Sequence, residues 1–344
     1  MKSFHIGRRN TFRALFVVAL LALAFGGCRK EGSGGSAGGG GGATNAGGGA
    51  RKEGKLRVGF SQMEHSGPWR IAETQSMKDE AAKRADRYEL IVTDAQGQTA
   101  KQVSDVEDLV AQRVDAIFLA PREAVGFELA LQAAKDAGIP VFLIDREVKG
   151  EAGKDFVAFI GSNFVEEGRR AGEWLAKQTN GKAGIVELLG SAGSSVADDR
   201  HDGFAEAIRA HPDMKIIASQ PGNFTRAEGQ KVMENLIQAH GPNIAAVYAH
   251  NDEMALGAIQ ALKAAGKQPG KDVIVVSVDG QKSALEAIAR GEMNATVECN
   301  PRFGPIAFDM LEKHLRGEKI DPKIIVPDRF FDASNAAQFV GEAY

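Results

Sequence analysis

From residue 55 onward, short apolar runs alternate with amphipathic stretches, and this alternation restricts the possible folds more than any other property of the chain. The runs at 56–61, 89–93, 116–120, 140–144 and 157–160 are dense in Val, Ile, Leu and Phe. Strands of that composition are buried on both faces, which is the condition of a parallel sheet. Between them, 69–85, 100–112, 122–137 and 165–178 carry apolar residues at helical spacing. Gly138 and Gly181 follow the last two, where a left-handed cap closes a helix. The rhythm then restarts, with strands at 184–189, 215–218, 245–249 and 273–278 and helices at 196–210, 226–239, 254–265 and 282–289. Late strands at 294–298 and 324–326 flank a helix at 303–316 and return the chain across a hinge. The reading is an α/β chain of two doubly wound, Rossmann-like parallel-sheet lobes. At 344 residues the chain also exceeds what one core usually holds.

The first fifty residues stand outside this rhythm. Lys2, Arg8, Arg9 and Arg13 precede an apolar stretch at 14–25 that is too short to span a bilayer comfortably and ends in small residues, as a secretory signal does. The residues after Arg8-Arg9 do not follow the twin-arginine export pattern. Gly26-Gly27-Cys28 resembles a lipobox, in which the chain is cut before a cysteine that carries lipid; Phe25 stands where a smaller aliphatic residue is commoner. The competing reading is a cleaved signal with an incidental cysteine. Residues 32–49 are almost all Gly, Ser and Ala, with nothing to bury. They form a flexible tether spanning roughly 20–25 Å as a random coil. No Gly-Lys-Ser/Thr follows, so the stretch is not a phosphate loop. The expected organisation is therefore a leader at 1–28, a tether at 29–54, a first lobe from 55–161 plus 300–325, and a second from 162–299 plus 326–344. Cys28 and Cys299 are the only cysteines, and with Cys28 lipidated no intrachain disulfide forms.

In open parallel sheets ligands bind beyond the carboxyl ends of the strands. Those positions are polar and bulky here. Gln62 ends the first strand and Trp69-Arg70 follows; the fourth ends in Asp145-Arg146. Asn223-Phe224, His250-Asn251-Asp252 and Asp279 occupy the corresponding ends of the second set, and Glu298 lies near a crossover. A ring of hydroxyls with apolar C–H faces matches this set. Asp145 and Asp279 accept, Arg70 and Arg146 donate in planar forks, Asn251 does both, and Trp69 and Phe224 cover the ring. Taken singly, each such residue is more often structural than functional; their shared placement is what points to a site. His201, His211 and His250 lack metal-ligand spacing. Gly190-Ser191-Ala192-Gly193-Ser194 lacks the Gly-x-Ser-x-Gly spacing of a serine-hydrolase elbow, and no Gly-x-Gly-x-x-Gly follows the first strand. No cofactor or metal is expected. Acidic side chains outnumber basic ones by only 45 to 42, which gives no general attraction to nucleic acid.

The fragments carrying these residues resemble the ribose- and galactose-type periplasmic binding proteins of ABC sugar importers. They include Val114-Asp115-Ala116-Ile117-Phe118-Leu119-Ala120-Pro121, Ile139-Pro140-Val141-Phe142-Leu143-Ile144-Asp145-Arg146, His250-Asn251-Asp252-Glu253-Met254-Ala255-Leu256-Gly257, and Val278-Asp279-Gly280. Gly59-Phe60-Ser61-Gln62, Trp69-Arg70 before Ala72-Glu73-Thr74, and Asn223-Phe224-Thr225-Arg226 are similar to the galactofuranose-binding members. The resemblance implies a type I periplasmic binding protein fold, an inter-lobe site for a monosaccharide, and crossings near 161–163, 298–300 and 326. Trp69 and Phe224 would stack on the sugar, and Arg70, Asp145, Arg146, Asn251 and Asp279 would bond its hydroxyls. Glu298 matches a glutamate of the galactofuranose binders but not of the ribose binders. Asp198 stands where the ribose binders have a ligand-contacting arginine, and His65-Ser66-Gly67-Pro68 is an insertion that reshapes one wall. The implied partners are ABC permease subunits, and a chemoreceptor in the sensor variant of the reading. The expected location is the periplasm or cell surface, as a monomer held to the membrane through Cys28. Two other classes remain open. A sugar-responsive repressor shares the fold, but it would need a helix-turn-helix where this chain has its leader and tether. A sugar-modifying enzyme would use Asp145 with Asp279 or Glu298 as an acid/base pair, although neighbouring arginines are expected to keep these groups ionised.

Overall fold

The alternating runs form two six-stranded sheets in a computed structural model that describes residues 54–344; the leader, Cys28 and all of the tether except Gly54 lie outside the described residues. The first lobe begins with β1 (Leu56–Gln62), α1 (Gly67–Lys83), β2 (Tyr88–Asp94), α2 (Thr99–Ala111), β3 (Ala116–Ala120), α3 (Glu128–Asp136), β4 (Val141–Ile144) and β5 (Ala158–Gly161). The chain then enters the second lobe through α4 (Phe164–Gln178), β6 (Lys182–Leu189), α5 (Ser195–Ile208), β7 (Asp213–Pro221) and α6 (Arg226–His240). It continues there through β8 (Ala246–Ala249), α7 (Asp252–Ala264), β9 (Ile274–Asp279), α8 (Lys282–Ala289) and β10 (Ala295–Glu298). Next, α9 (Gly304–Leu315) and β11 (Lys323–Ile325) return to the first lobe, and β12 (Phe330–Asp332) with α10 (Ala336–Phe339) closes the second.

The two sheets repeat one topology. Strand order is β2-β1-β3-β4-β5-β11 in the first and β7-β6-β8-β9-β10-β12 in the second. Every pairing is parallel except that of β10 with β12. Both faces of each sheet are covered, which is why the strands could be read as continuous apolar runs. In the first lobe Phe60, Phe118 and Phe142 pack under α1 and α9, with the Phe118 ring 5.3 Å from Phe308. Ile117, Leu119 and Leu143 face the other way, toward Leu109 of α2 and Leu131 of α3. In the second lobe Phe204 of α5 stacks on Tyr248 of β8 with ring centroids 4.0 Å apart. The helix caps expected at Gly138 and Gly181 are present, with φ of 71° and 72°.

The short α10 lies beyond the elements read from the sequence, and two other elements depart from that reading. The helix expected over 122–137 begins only at Glu128, because Gly126 turns with φ of 97° and tertiary bonds hold the preceding residues in a bent loop. Arg122 O accepts from Arg146 Nη1 at 2.8 Å, and Ala124 N donates to Gly193 O of the other lobe at 3.1 Å. The antiparallel β12 was not anticipated; three residues are too few to show a period, and only their pairing with β10 defines them as a strand.

The helices α4 and α5 meet backbone to backbone. A Cβ on Gly203 would lie 1.9 Å from Val165 O, and one on Gly168 would lie 2.2 Å from Arg200 O. This contact fixes the axis of α5. Gly203→Ala is expected to lower stability by about 1–3 kcal/mol in urea unfolding through overpacking. Gly241→Ala, whose Cβ would meet nothing nearer than 4.0 Å, is expected to change it by less than about 0.5 kcal/mol.

Candidate functional site

The first-lobe wall is set by the start of α1 and the end of β4. Gly67, with φ of 76°, and Pro68 turn the chain into α1, so Trp69 and Arg70 lie in its first turn. Trp69 Nε1 donates to Cys299 O at 2.8 Å, which ties this helix start to a crossing segment. Arg70, only 7% exposed, donates to Glu73 Oε2 at 2.8 Å and to Asp145 Oδ2 at 2.6 Å. Asp145 follows β4 in the left-handed region, φ 65°, which turns its carboxylate toward Arg70 and away from the sheet. The Arg146 guanidinium lies 5.3 Å from the Phe224 ring across the cleft, and its buried Nε has no hydrogen-bond partner, with Asp145 Oδ2 3.6 Å away.

The second-lobe wall is built from the ends of β7, β8 and β9 and from α5. Asn223 and Phe224 both adopt positive φ, 54° and 60°, so the loop after β7 aims Phe224 back over the sheet. Gly190 makes room for that ring, since a Cβ there would sit 2.0 Å from it. Asn251 caps α7 by accepting from Met254 N at 3.0 Å, and its amide donates to Phe224 O at 3.1 Å. Asp279 ends β9 with φ of 130°. Arg200 of α5 donates to Glu167 at 2.7 Å and to His250 O at 2.5 Å, and one of its nitrogens lies 3.7 Å from Asp279 Oδ1.

These groups line one inter-lobe space, part of which opens to solvent. Of the residues singled out in the sequence, Trp69, Arg70, Asp145, Arg146, Phe224, Asn251 and Asp279 line it. Ser66, Gly67 and Pro68 of the insertion also form part of the wall. Gln62 does not line it; the side chain sits behind Arg70, donating to Glu73 at 2.8 Å and Thr74 at 3.1 Å. Glu298 is likewise turned away, onto Arg329, whose Nη2 donates to it at 2.8 Å. Asp198 is exposed, and Arg200, two positions on, is the α5 residue that reaches the cavity. Sequence reasoning missed Arg200, yet a signal existed: Val196, Arg200, Phe204 and Ile208 share one helical stripe, and a charge on an apolar stripe needs a buried partner. Glu64, Val196, Glu253 and Cys299 complete the wall. His250 and His201 both bond Glu187, at 3.1 and 2.9 Å, beneath the site. Among the described residues, no cluster of His, Cys, Asp and Glu is placed to hold a metal ion.

The electrostatics differ between the walls. Burial opposes the Arg70 cation, but Asp145 and Glu73 outweigh it and hold the guanidinium above its usual range. Burial and then Arg70 push Arg146 down to about 9, still charged at neutral pH. At Asp279 burial works against the neighbouring arginine. Burial pushes this carboxyl well above its usual range despite Arg200, whose hydrogen bonds are spent on Glu167 and His250. At the cleft mouth the lobes touch through Ala124 N to Gly193 O at 3.1 Å and Glu147 N to Ser195 Oγ at 3.3 Å.

Two duplicated α/β lobes, three crossings and a polar cavity between strand ends define a two-lobed ligand-binding protein. Residues 58–319 match the periplasmic binding protein domain, and the chain belongs to that family. It is 47% identical over 272 residues to the galactofuranose-binding protein YtfQ of Escherichia coli, covering 78% of this chain and 85% of the relative. It is 40% identical to the ribose import binding protein RbsB of Salmonella typhimurium, over 72% of this chain and 82% of that one. Among solved structures, the binding component of the arabinose ABC transporter from Shewanella, bound to α- and β-L-arabinofuranose, superposes with a TM-score of 0.81 at 42% identity. That match covers 83% of this chain and 95% of the other.

Glu73 provides a pH test of this wall. Burial pushes its carboxyl up to about 7, with Arg70 opposing, so the folded chain holds a proton that the unfolded chain releases above the ordinary glutamate range. Stability carried by this group therefore falls as pH rises from about 4.5 toward 7. Glu73→Gln is expected to flatten the change in urea midpoint between pH 5 and 7; an identical pH profile in the variant would speak against this assignment.

Proposed function

We propose that this chain is the cargo-binding subunit of a sugar ABC importer, taking a monosaccharide in its furanose form into the inter-lobe cavity and presenting it to the permease. The observation that carries the reading is the convergence of Trp69, Arg70, Asp145 and Arg146 from one lobe with Phe224, Asn251 and Asp279 from the other on a single space. A furanose offers hydroxyls that both donate and accept, which suits carboxylates, planar guanidinium forks and an amide set at fixed angles. Its C–H faces suit Trp69 and Phe224. Ligand contacts supplied by both lobes favour the closed form, because only differential affinity shifts such an equilibrium. The relatives add support: one is named for galactofuranose and one for ribose import, and a third carries arabinofuranose. In this reading the pocket recognises its cargo without transforming it, and the chain works outside the cytoplasmic membrane, held there by lipid on Cys28.

Calorimetry on protein stripped of retained ligand by unfolding and refolding tests the reading with D-galactose, L-arabinose, D-ribose and D-fructose. At least one is expected to bind with micromolar affinity or better, and Asp145→Ala to weaken that binding by about ten- to a hundredfold, as loss of a charge-assisted hydrogen bond implies. Silence with all four sugars would remove the assignment. The anchor is tested separately: Cys28→Ser is expected to move the protein from the membrane to the soluble fraction, and unchanged fractionation refutes lipidation at Cys28.

A further inference from the structure

Asp279 occupies a conformation that L-residues rarely adopt, and such a conformation persists only where the surroundings over-determine it. The loop it begins is pinned at every step. Gly280 N donates to Thr296 Oγ1 at 3.2 Å, and Gln281 N donates to Asp252 Oδ2 at 2.8 Å. The remaining restraints come largely from a residue outside the cavity wall. The Tyr344 phenol donates to Asp279 O at 3.3 Å, where Cys299 N also donates at 3.1 Å, and Tyr344 O accepts from Lys282 N at 2.9 Å. Tyr344 thus brackets residues 279–282 from both ends. Burial, followed by Asp279, raises the phenol well above its usual range, so it stays protonated and remains a donor.

The segment bearing Tyr344 is itself tied to the crossings between the lobes. Arg302, in the crossing between β10 and α9, donates to Glu342 O at 2.8 Å, and its guanidinium carbon lies 6.0 Å from the Tyr344 ring. Arg329, in the crossing between β11 and β12, bonds Glu342 and Glu298 at 2.8 Å each. We propose that Tyr344 is a positioning residue for the sugar site: its phenol holds the Asp279 backbone where the carboxyl faces the cavity, and its segment ties that carboxyl to the crossings on which the lobes move. Glu298 enters the same arrangement as an anchor of Arg329. The proposal rests on the sugar-binding reading of the cavity.

A double-mutant cycle read by calorimetry, with D-galactose and L-arabinose as probes, tests it. Tyr344→Phe is expected to weaken binding about three- to tenfold, the size of one neutral hydrogen bond. In an Asp279→Asn background, Tyr344→Phe is expected to add little further loss, because it acts through Asp279. Unchanged affinity in Tyr344→Phe, or fully additive losses in the double variant, overturns the proposal. Amide hydrogen exchange without sugar gives a second readout: Tyr344→Phe is expected to speed exchange at 280–282 while the sheet strands stay protected. Unchanged exchange there overturns the proposal whichever sugar binds. Faster exchange together with no heat from either sugar in the unaltered protein counts instead against the sugar reading on which the proposal rests.

Discussion

A parallel strand covered on both faces can carry an ionised side chain cheaply only where it ends, because within the sheet every polar group needs a buried partner. Nearly everything distinctive about this protein follows from that restriction. The charged and most buried polar residues of the second sheet are paired: Glu187 of β6 meets His250, His201 and Ser219, and Ser277 and Thr296 both bond Asp252. The groups still able to serve a ligand stand at the tips, where a helix start or a tight turn supplies what the sheet cannot. Arg70 illustrates the economy, since one guanidinium bonds both Glu73 and Asp145.

Repetition of strand order gives the site its two-sided character. Asp145 follows β4 and Asp279 ends β9, which is the same place in each sheet, and both have positive φ. The walls nevertheless differ chemically. Asp145 receives a 2.6 Å bond from Arg70, whereas Asp279 has its nearest guanidinium at 3.7 Å and depends on burial and backbone bonds for its setting. Equivalent positions of one topology thus offer a carboxyl bonded by a guanidinium on one side and, on the other, a carboxyl that burial makes readier to hold a proton. A ring of hydroxyls, each both donor and acceptor, can use both.

Strands and their polar ends were legible in the sequence because both-face burial leaves uninterrupted apolar runs whose boundaries are chemically abrupt. Seven of the residues read from those strand ends and the loops after them line the inter-lobe space. Gln62 and Glu298 met the same criterion, but position along a strand does not say which way a side chain turns. Gln62 spends its amide on Glu73 and Thr74, and Glu298 turns to Arg329, a partner that no local pattern connects to it. Arg200 was hidden differently: it comes from within a helix, and its reach depends on the close approach of α4 and α5 through Gly168 and Gly203. The late start of α3 was hidden because bonds to Arg146 and to the opposite lobe outweigh the local helical pattern there.

The bond across the cleft mouth from Ala124 N to Gly193 O joins main-chain atoms on both sides. The bond uses no side-chain atom, although the left-handed φ of Gly193, 78°, favours glycine there, and it makes no distinction between cargoes. Its contribution to shutting the cleft is the same for every occupant, so discrimination falls wholly to the interior. Reprogramming such a scaffold for a new cargo can therefore alter the chamber and leave the gate untouched.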